Sequence, residues 1–211
     1  MSELGQGTPA SQTAAASKDP VTVLLCGVGG QGTILGADLL AHCAVAAGWQ
    51  VKLSEVHGMS QRGGAVTTVV RFGQTVASMV TDPGCADHII AFETTEALRN
   101  LPFLKPGGGL FVSQEAIKPL PVLTGQANMP ADAAGTLLEA GARLIPAVRL
   151  AQEVGNPKCS NVVLLGVFAQ ELGFEPTLWE EQIARRLPAR LVEVNVAAFR
   201  AGFNYHAEAS A

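Results

Sequence analysis

The sequence predicts an α/β fold, on three observations. Residues 21–26 form a short apolar run with β-branched members that ends in glycines, which reads as a buried strand. Residues 31–47 follow with apolar side chains at helical spacing: Ile34, Leu35, Leu39, Ala41 and Val45 fall on or near one side. Residues 51–54 form a second short strand. A strand, a glycine loop, a helix and a strand make a βαβ unit, and such units build parallel sheets. The expected architecture is Rossmann-like: a mostly parallel sheet with flanking helices, one inserted β-hairpin and a helical C-terminal part.

The remaining elements follow in order. Gly48 is a C′ stop for the first helix. Residues 55–64 are a polar, glycine-rich connection. Residues 65–72 are β-rich, Gly73-Gln74 reads as a turn, and residues 75–80 return, which supplies the expected hairpin. Residues 87–92 are a strand and residues 93–104 a short helix. Residues 106–109 turn into a strand at 110–112. Residues 116–135 are rich in Pro and Gly and read as irregular. Residues 143–145 form a last strand, with Pro146 opening a helix at N1. Residues 161–172 are apolar almost all round, so that helix is buried on several sides. Thr177 and Glu180 match a capping box, followed by Trp179, Ile183 and Leu187 at helical spacing. Residues 189–201 form the final helix, with Gly202 as its stop. Residues 1–20 are small and polar and read as a disordered tail, 21–203 as a single domain, and 204–211 as a C-terminal tail.

Composition narrows the function. Charged residues are 15% of the chain, against about 25% in a typical domain. That scarcity is expected of a surface largely covered by another protein. The net charge of −4 argues against nucleic-acid binding. No apolar run approaches the ~20 residues that cross a bilayer. Cys26, Cys43, Cys85 and Cys159 are scattered, with no CxxC, so neither a zinc site nor a self-contained iron–sulfur site is expected. Free thiols and the lack of an export signal read as cytoplasmic. Motifs for thiamine diphosphate with magnesium, for a nucleophilic serine, for zinc hydrolysis and for a P-loop are all missing.

Two loops remain as candidates. Gly27, Gly29 and Gly32 match GxGxxG, with Val28, Gly30 and Gln31 between them, after a strand and before a helix. Glycines permit a tight turn and close approach, and the helix start offers N–H groups to an anion. Glu55 lies about where an NAD ribose partner would sit. The same loop equally reads as one packed tightly against a partner chain. In the second loop, His57 places an imidazole beside Glu55. Arg62, followed by Gly63 and Gly64, reads either as a guanidinium where a phosphate or carboxylate can come close or as an exposed Arg before a Gly-Gly bend. His42 and His88 read as structural. His42 lies four residues after Asp38, and His88 opens a strand.

Two stretches taken together carry a resemblance. Cys26-Gly27-Val28-Gly29-Gly30-Gln31-Gly32-Thr33 is the first. Ser54-Glu55-Val56-His57-Gly58-Met59-Ser60-Gln61-Arg62-Gly63-Gly64-Ala65-Val66 is the second and more specific. They resemble the gamma domain of 2-oxoacid:ferredoxin oxidoreductases, over residues 21–203, and Asn161 resembles the start of that family's apolar helix. The resemblance implies a complex that converts an aryl pyruvate, coenzyme A and oxidised ferredoxin to aryl-acetyl-CoA, carbon dioxide and reduced ferredoxin. It implies a large alpha subunit holding thiamine diphosphate, Mg and the [4Fe-4S] clusters, and a small chain that binds none of these alone. Coenzyme A or the partner would then meet Gly27, Gly29, Gly30, Gln31, Gly32, Glu55, His57, Gly58, Gln61, Arg62, Gly63 and Gly64. Two other readings stay open: a stand-alone NAD(P)-binding oxidoreductase and a non-catalytic ligand-sensing module.

Overall fold

The structure is a computed structural model and describes residues 20–57 and 64–206. Its centre is a six-stranded sheet in the order β2-β3-β1-β4-β5-β6. The strands are β1 (Val21–Val28), β2 (Gln50–His57), β3 (Ala65–Gly73), β4 (Ala86–Ala91), β5 (Leu104–Ser113) and β6 (Arg143–Ile145). β1, β4, β5 and β6 pair in parallel. β3 runs against β1 on one side and against β2 on the other. Five strands therefore share one direction.

β1 is apolar apart from Thr22 because both of its faces are covered. Val23 and Leu25 join one core, and Leu24 and Cys26 the other. The first core lies under α1 (Thr33–Ala46), α5 (Ala147–Glu153), α6 (Ser160–Leu172), α7 (Pro176–Arg186) and α8 (Ala189–Phe203). The second lies under α2 (Thr94–Asn100) and α4 (Ala133–Glu139). His88 packs edge-on to Phe168, and burial lowers its pKa below the usual histidine range. Among the described residues no helix is long and apolar enough to cross a membrane.

The inserted antiparallel pair exists, but its partners differ from expectation. β3 pairs with β2 and not with residues 75–80, which form no strand. The reason is that both edges of β3 are already occupied, by β1 and β2. The 75–80 segment is instead held by side chains: Lys52 Nζ donates to Ala77 O (2.9 Å) and Arg71 Nη1 to Ser78 O (2.8 Å). The first βαβ unit is modified accordingly, since β2 is not a neighbour of β1. The Pro- and Gly-rich stretch contains a single turn, α3 (Leu120–Leu123), and the start of α4. Pro146 is the N-cap of α5, one place earlier than N1. α7 begins with Glu175 as N-cap and Pro176 at N1, so Thr177 caps nothing.

Gly202 is not a stop. α8 runs through it, because it is the point where α8 and α6 touch. A Cβ on Gly202 would lie 1.9 Å from Val163 O, and one on Gly166 would lie 2.2 Å from Phe199 O. These paired glycines let the two backbones come together. Gly202→Ala must push α8 off α6 and is expected to cost at least about 2 kcal/mol, at the upper part of the overpacking range. Denaturant unfolding of the isolated chain checks this, and an unchanged midpoint would contradict the packing described.

Candidate functional site

α1 leaves β1 toward one face of the sheet, and α2 leaves the neighbouring parallel strand β4 toward the other. Their diverging starts open a crevice at the carboxyl ends of β1 and β4. This is the topological switch point, where open α/β sheets place their ligands.

The glycine loop lies on one side of the crevice and is closed by its own side chains. Gln31 Oε1 accepts from Val28 N (2.8 Å), and Gln31 Nε2 donates to Phe92 O (2.9 Å), beyond the end of β4. Gly29 N donates to Gly64 O (2.9 Å), which joins the two glycine-rich loops at one sheet edge. Asn161 Nδ2, in the first turn of α6, donates to Gly32 O (3.3 Å). Gly32 has φ +81°, and a Cβ there would meet Asn161 Nδ2 at 2.3 Å. Gly27 is constrained in the same way, since its Cβ would lie 2.8 Å from Gln31 Oε1. Gly30 is exposed, with open space around it.

The other side of the crevice is acidic. Glu93 is 1% exposed and caps α2, accepting from Thr95 N (3.0 Å) and from Glu96 N. Glu96 is 4% exposed. Its Oε1 lies 3.5 Å from Arg99 Nη1, while its Oε2 has no hydrogen-bond partner among the described residues. Burial raises the Glu96 carboxyl above the usual range, with Arg99 opposing and Glu93 adding. Cys26 Sγ donates to Glu96 O (3.6 Å), and burial pushes that thiol far up, aided by Glu96 and Glu93.

The structure thus brings together Gly27, Gly29, Gly30, Gln31, Gly32 and Gly64. It does not bring Glu55 to them. Glu55 is exposed on β2, and β3 separates it from β1, which puts it about 10 Å away at two strand spacings. A ribose partner at Glu55 is therefore out of place. The N–H groups of Val28 and Gly29 are already engaged. The backbone of His57 ends β2. The His57 side chain and Gly58, Gln61, Arg62 and Gly63 lie outside the described residues. Sequence reasoning missed Glu93 and Glu96, since nothing at a helix start signals that its acids are buried. It also missed a cavity of about 560 Å³ beyond β5 and β6, lined by Gln114, Glu115, Arg149, Gln152 and Tyr205 among others.

The chain belongs to the pyruvate ferredoxin/flavodoxin oxidoreductase family, whose model matches residues 22–205. It is 41% identical to the indolepyruvate oxidoreductase subunit IorB of Thermococcus kodakarensis, over 85% of this chain and 93% of the relative. It is 39% identical to the subunit of the same name from Pyrococcus horikoshii, with the same coverage. In fold it is similar to the gamma subunit of a keto/oxoacid ferredoxin oxidoreductase from Geobacter sulfurreducens. That match has a TM-score of 0.65 at 24% identity, over 87% of this chain and 96% of that one. A 2-oxoglutarate:ferredoxin oxidoreductase from Magnetococcus marinus gives a TM-score of 0.67 at 19% identity, with 89% of this chain matching 31% of that one.

The Gln31 amide bridges β1 to the end of β4. Gln31→Ala leaves Val28 N–H and Phe92 C=O without it, and each lost partner costs roughly 1–3 kcal/mol where water cannot replace it. Unfolding stability is expected to fall by about 2 kcal/mol, with faster amide exchange at Val28. A wild-type unfolding midpoint would show that the bridge does not hold the loop.

Proposed function

We propose that this chain is the small subunit of a 2-oxoacid:ferredoxin oxidoreductase acting on an aryl pyruvate, indolepyruvate in the first instance. The complex would take coenzyme A and oxidised ferredoxin with it and release aryl-acetyl-CoA, carbon dioxide and reduced ferredoxin. The observation that carries the reading is the 41% identity to an indolepyruvate oxidoreductase subunit across 93% of that relative.

The donor chemistry of this chain supports a division of labour. A cysteine holds a cluster or metal as its thiolate, and Cys26, Cys43 and Cys159 are buried with their thiols pushed up by that burial. Among the described residues no three His, Cys, Asp or Glu are grouped to hold a metal. These residues do not fit an iron–sulfur cluster. Thiamine diphosphate with Mg, which supplies the carbon nucleophile, and the [4Fe-4S] clusters that carry electrons are assigned to a large alpha subunit. Ferredoxin would meet the complex through that partner. This chain would contribute a shaped edge, the crevice between β1 and β4 with Gly64 at its rim. Arg62, two residues before Gly64, is the proposed contact to a coenzyme A phosphate or a partner carboxylate.

A tagged copy recovered from its host is expected to bring down a brown, thiamine-containing large chain, and the isolated chain to show no turnover. Calorimetry with NAD and NADP at millimolar ligand is expected to show no binding. A micromolar dissociation constant would move the assignment to a stand-alone dehydrogenase. Arg62→Ala is expected to lower turnover of the assembled complex tenfold or more, as loss of a desolvated charge contact of roughly 2–5 kcal/mol requires. Wild-type coenzyme A and oxoacid kinetics in that variant would refute the Arg62 role.

A further inference from the structure

We infer that the crevice between β1 and β4 is a receptor for one basic side chain, arginine or lysine, of the partner subunit. The inference rests on the reading that this chain works within a complex.

The crevice ends in a cavity of about 80 Å³ whose lining includes Val28, Glu93, Thr95, Glu96, Arg99 and Ile117. At ~30 Å³ per water, that holds two or three water molecules. Ligand pockets for nucleotide-sized molecules start at ~300 Å³. The cavity therefore suits a guanidinium or ammonium head and excludes coenzyme A or a dinucleotide.

Its chemistry is that of an acceptor. Glu93 spends its oxygens on the backbone N–H groups of Thr95 and Glu96. Glu96 Oε2 and Thr95 Oγ1 are buried and have no hydrogen-bond partner among the described residues. Among the described residues the cation paired with Glu96 is Arg99, which reaches Oε1 only at 3.5 Å and is 62% exposed, so it stays at the rim. A buried carboxylate with an oxygen left over is costly unless a cation completes it. A metal ion would need further ligands, and the described residues group no three that could serve.

The rim identifies the source of the cation as a protein. Ile117 lines the cavity, and the chain continues from there into Leu120 and Leu123, which are 71% and 67% exposed. A small charged pocket beside an exposed apolar ridge has the anatomy of an interface hot spot, in which surrounding contacts exclude water from a central charged pair. Entry of the cation favours ionised Glu96, whose carboxyl is held above its usual range in the isolated chain. Association should therefore weaken as pH falls through the carboxylate range.

The test has two arms. The isolated ¹⁵N-labelled chain is titrated with methylguanidinium, with uncharged N-methylurea as control. Saturable shifts at the amides of Thr95, Glu96 and Arg99 are expected with the cation alone, and Glu96→Gln should abolish them while the rest of the spectrum is kept. In the second arm, Glu96→Gln should weaken association with the large subunit at least tenfold. The near-isosteric Thr95→Val should weaken it by a smaller factor, which covers the case of a poorly folding Gln variant. Shifts that are absent, or that survive Glu96→Gln, overturn the pocket. Association unchanged in both variants overturns the partner side chain as its occupant. A wild-type chain that binds no large subunit is a different result, which sinks the subunit reading itself and is separately visible.

Discussion

β3 is bonded along both of its edges, and most of the architecture depends on that one pairing. Its register with β1 runs from Val21↔Phe72 to Val28↔Ala65, and with β2 from Gln50↔Gly73 to His57↔Val66. A slip of one residue would turn every β3 side chain to the opposite face. Val70 and Phe72 would leave the core under α1, and Val69 the core on the other face. The pairing also fixes the functional edge. Because β3 begins where β1 ends, Gly64 arrives beside Gly29, and the acid at the end of β2 is carried one strand further from the glycine loop.

The glycine loop is consequently a joint. Gln31 ties it to the end of β4, Gly64 O takes the N–H of Gly29, and Asn161 ties Gly32 to the start of α6. α6 is buried almost all round and meets α8 through Gly166 and Gly202. The loop is thereby mechanically continuous with the C-terminal helices. The glycine pattern is needed here for protein–protein contact within one chain: side chains at Gly27 and Gly32 would collide with Gln31 and Asn161.

Where order was local, the sequence showed it. β1, β4, β6 and α6 were legible because each is a short apolar run bounded by breakers, and the burial of α6 followed from its lack of a polar face. Pairing was not legible. Gly73-Gln74 is a strong local turn signal, and nothing in residues 75–80 reveals that the edge they would join is already taken by β2. Helix ends were misplaced for a related reason. Thr177 satisfied a pattern, but Pro176, fixed in φ and lacking an N–H, set the start of α7. Gly202 looked like a stop because the sequence cannot show that Val163 lies against it. The candidate site was half visible. The glycines announced themselves, whereas the burial of Glu93 and Glu96 depends on α2, β1 and α4 converging from distant parts of the chain.

The same fingerprint can serve opposite chemistries, and what faces the loop decides between them. In a dinucleotide site the loop N–H groups are free and the acid stands at the end of an adjacent strand. Here the N–H groups of Val28 and Gly29 are consumed internally, and the carboxylates lie across the switch point, at the head of α2. An incoming phosphate would meet acceptor oxygens on that side, with the Val28 and Gly29 N–H groups already spent. An incoming cation would meet complementary charge at the same place. The family's fold is thus compatible with a chain whose switch point recognises a neighbouring subunit.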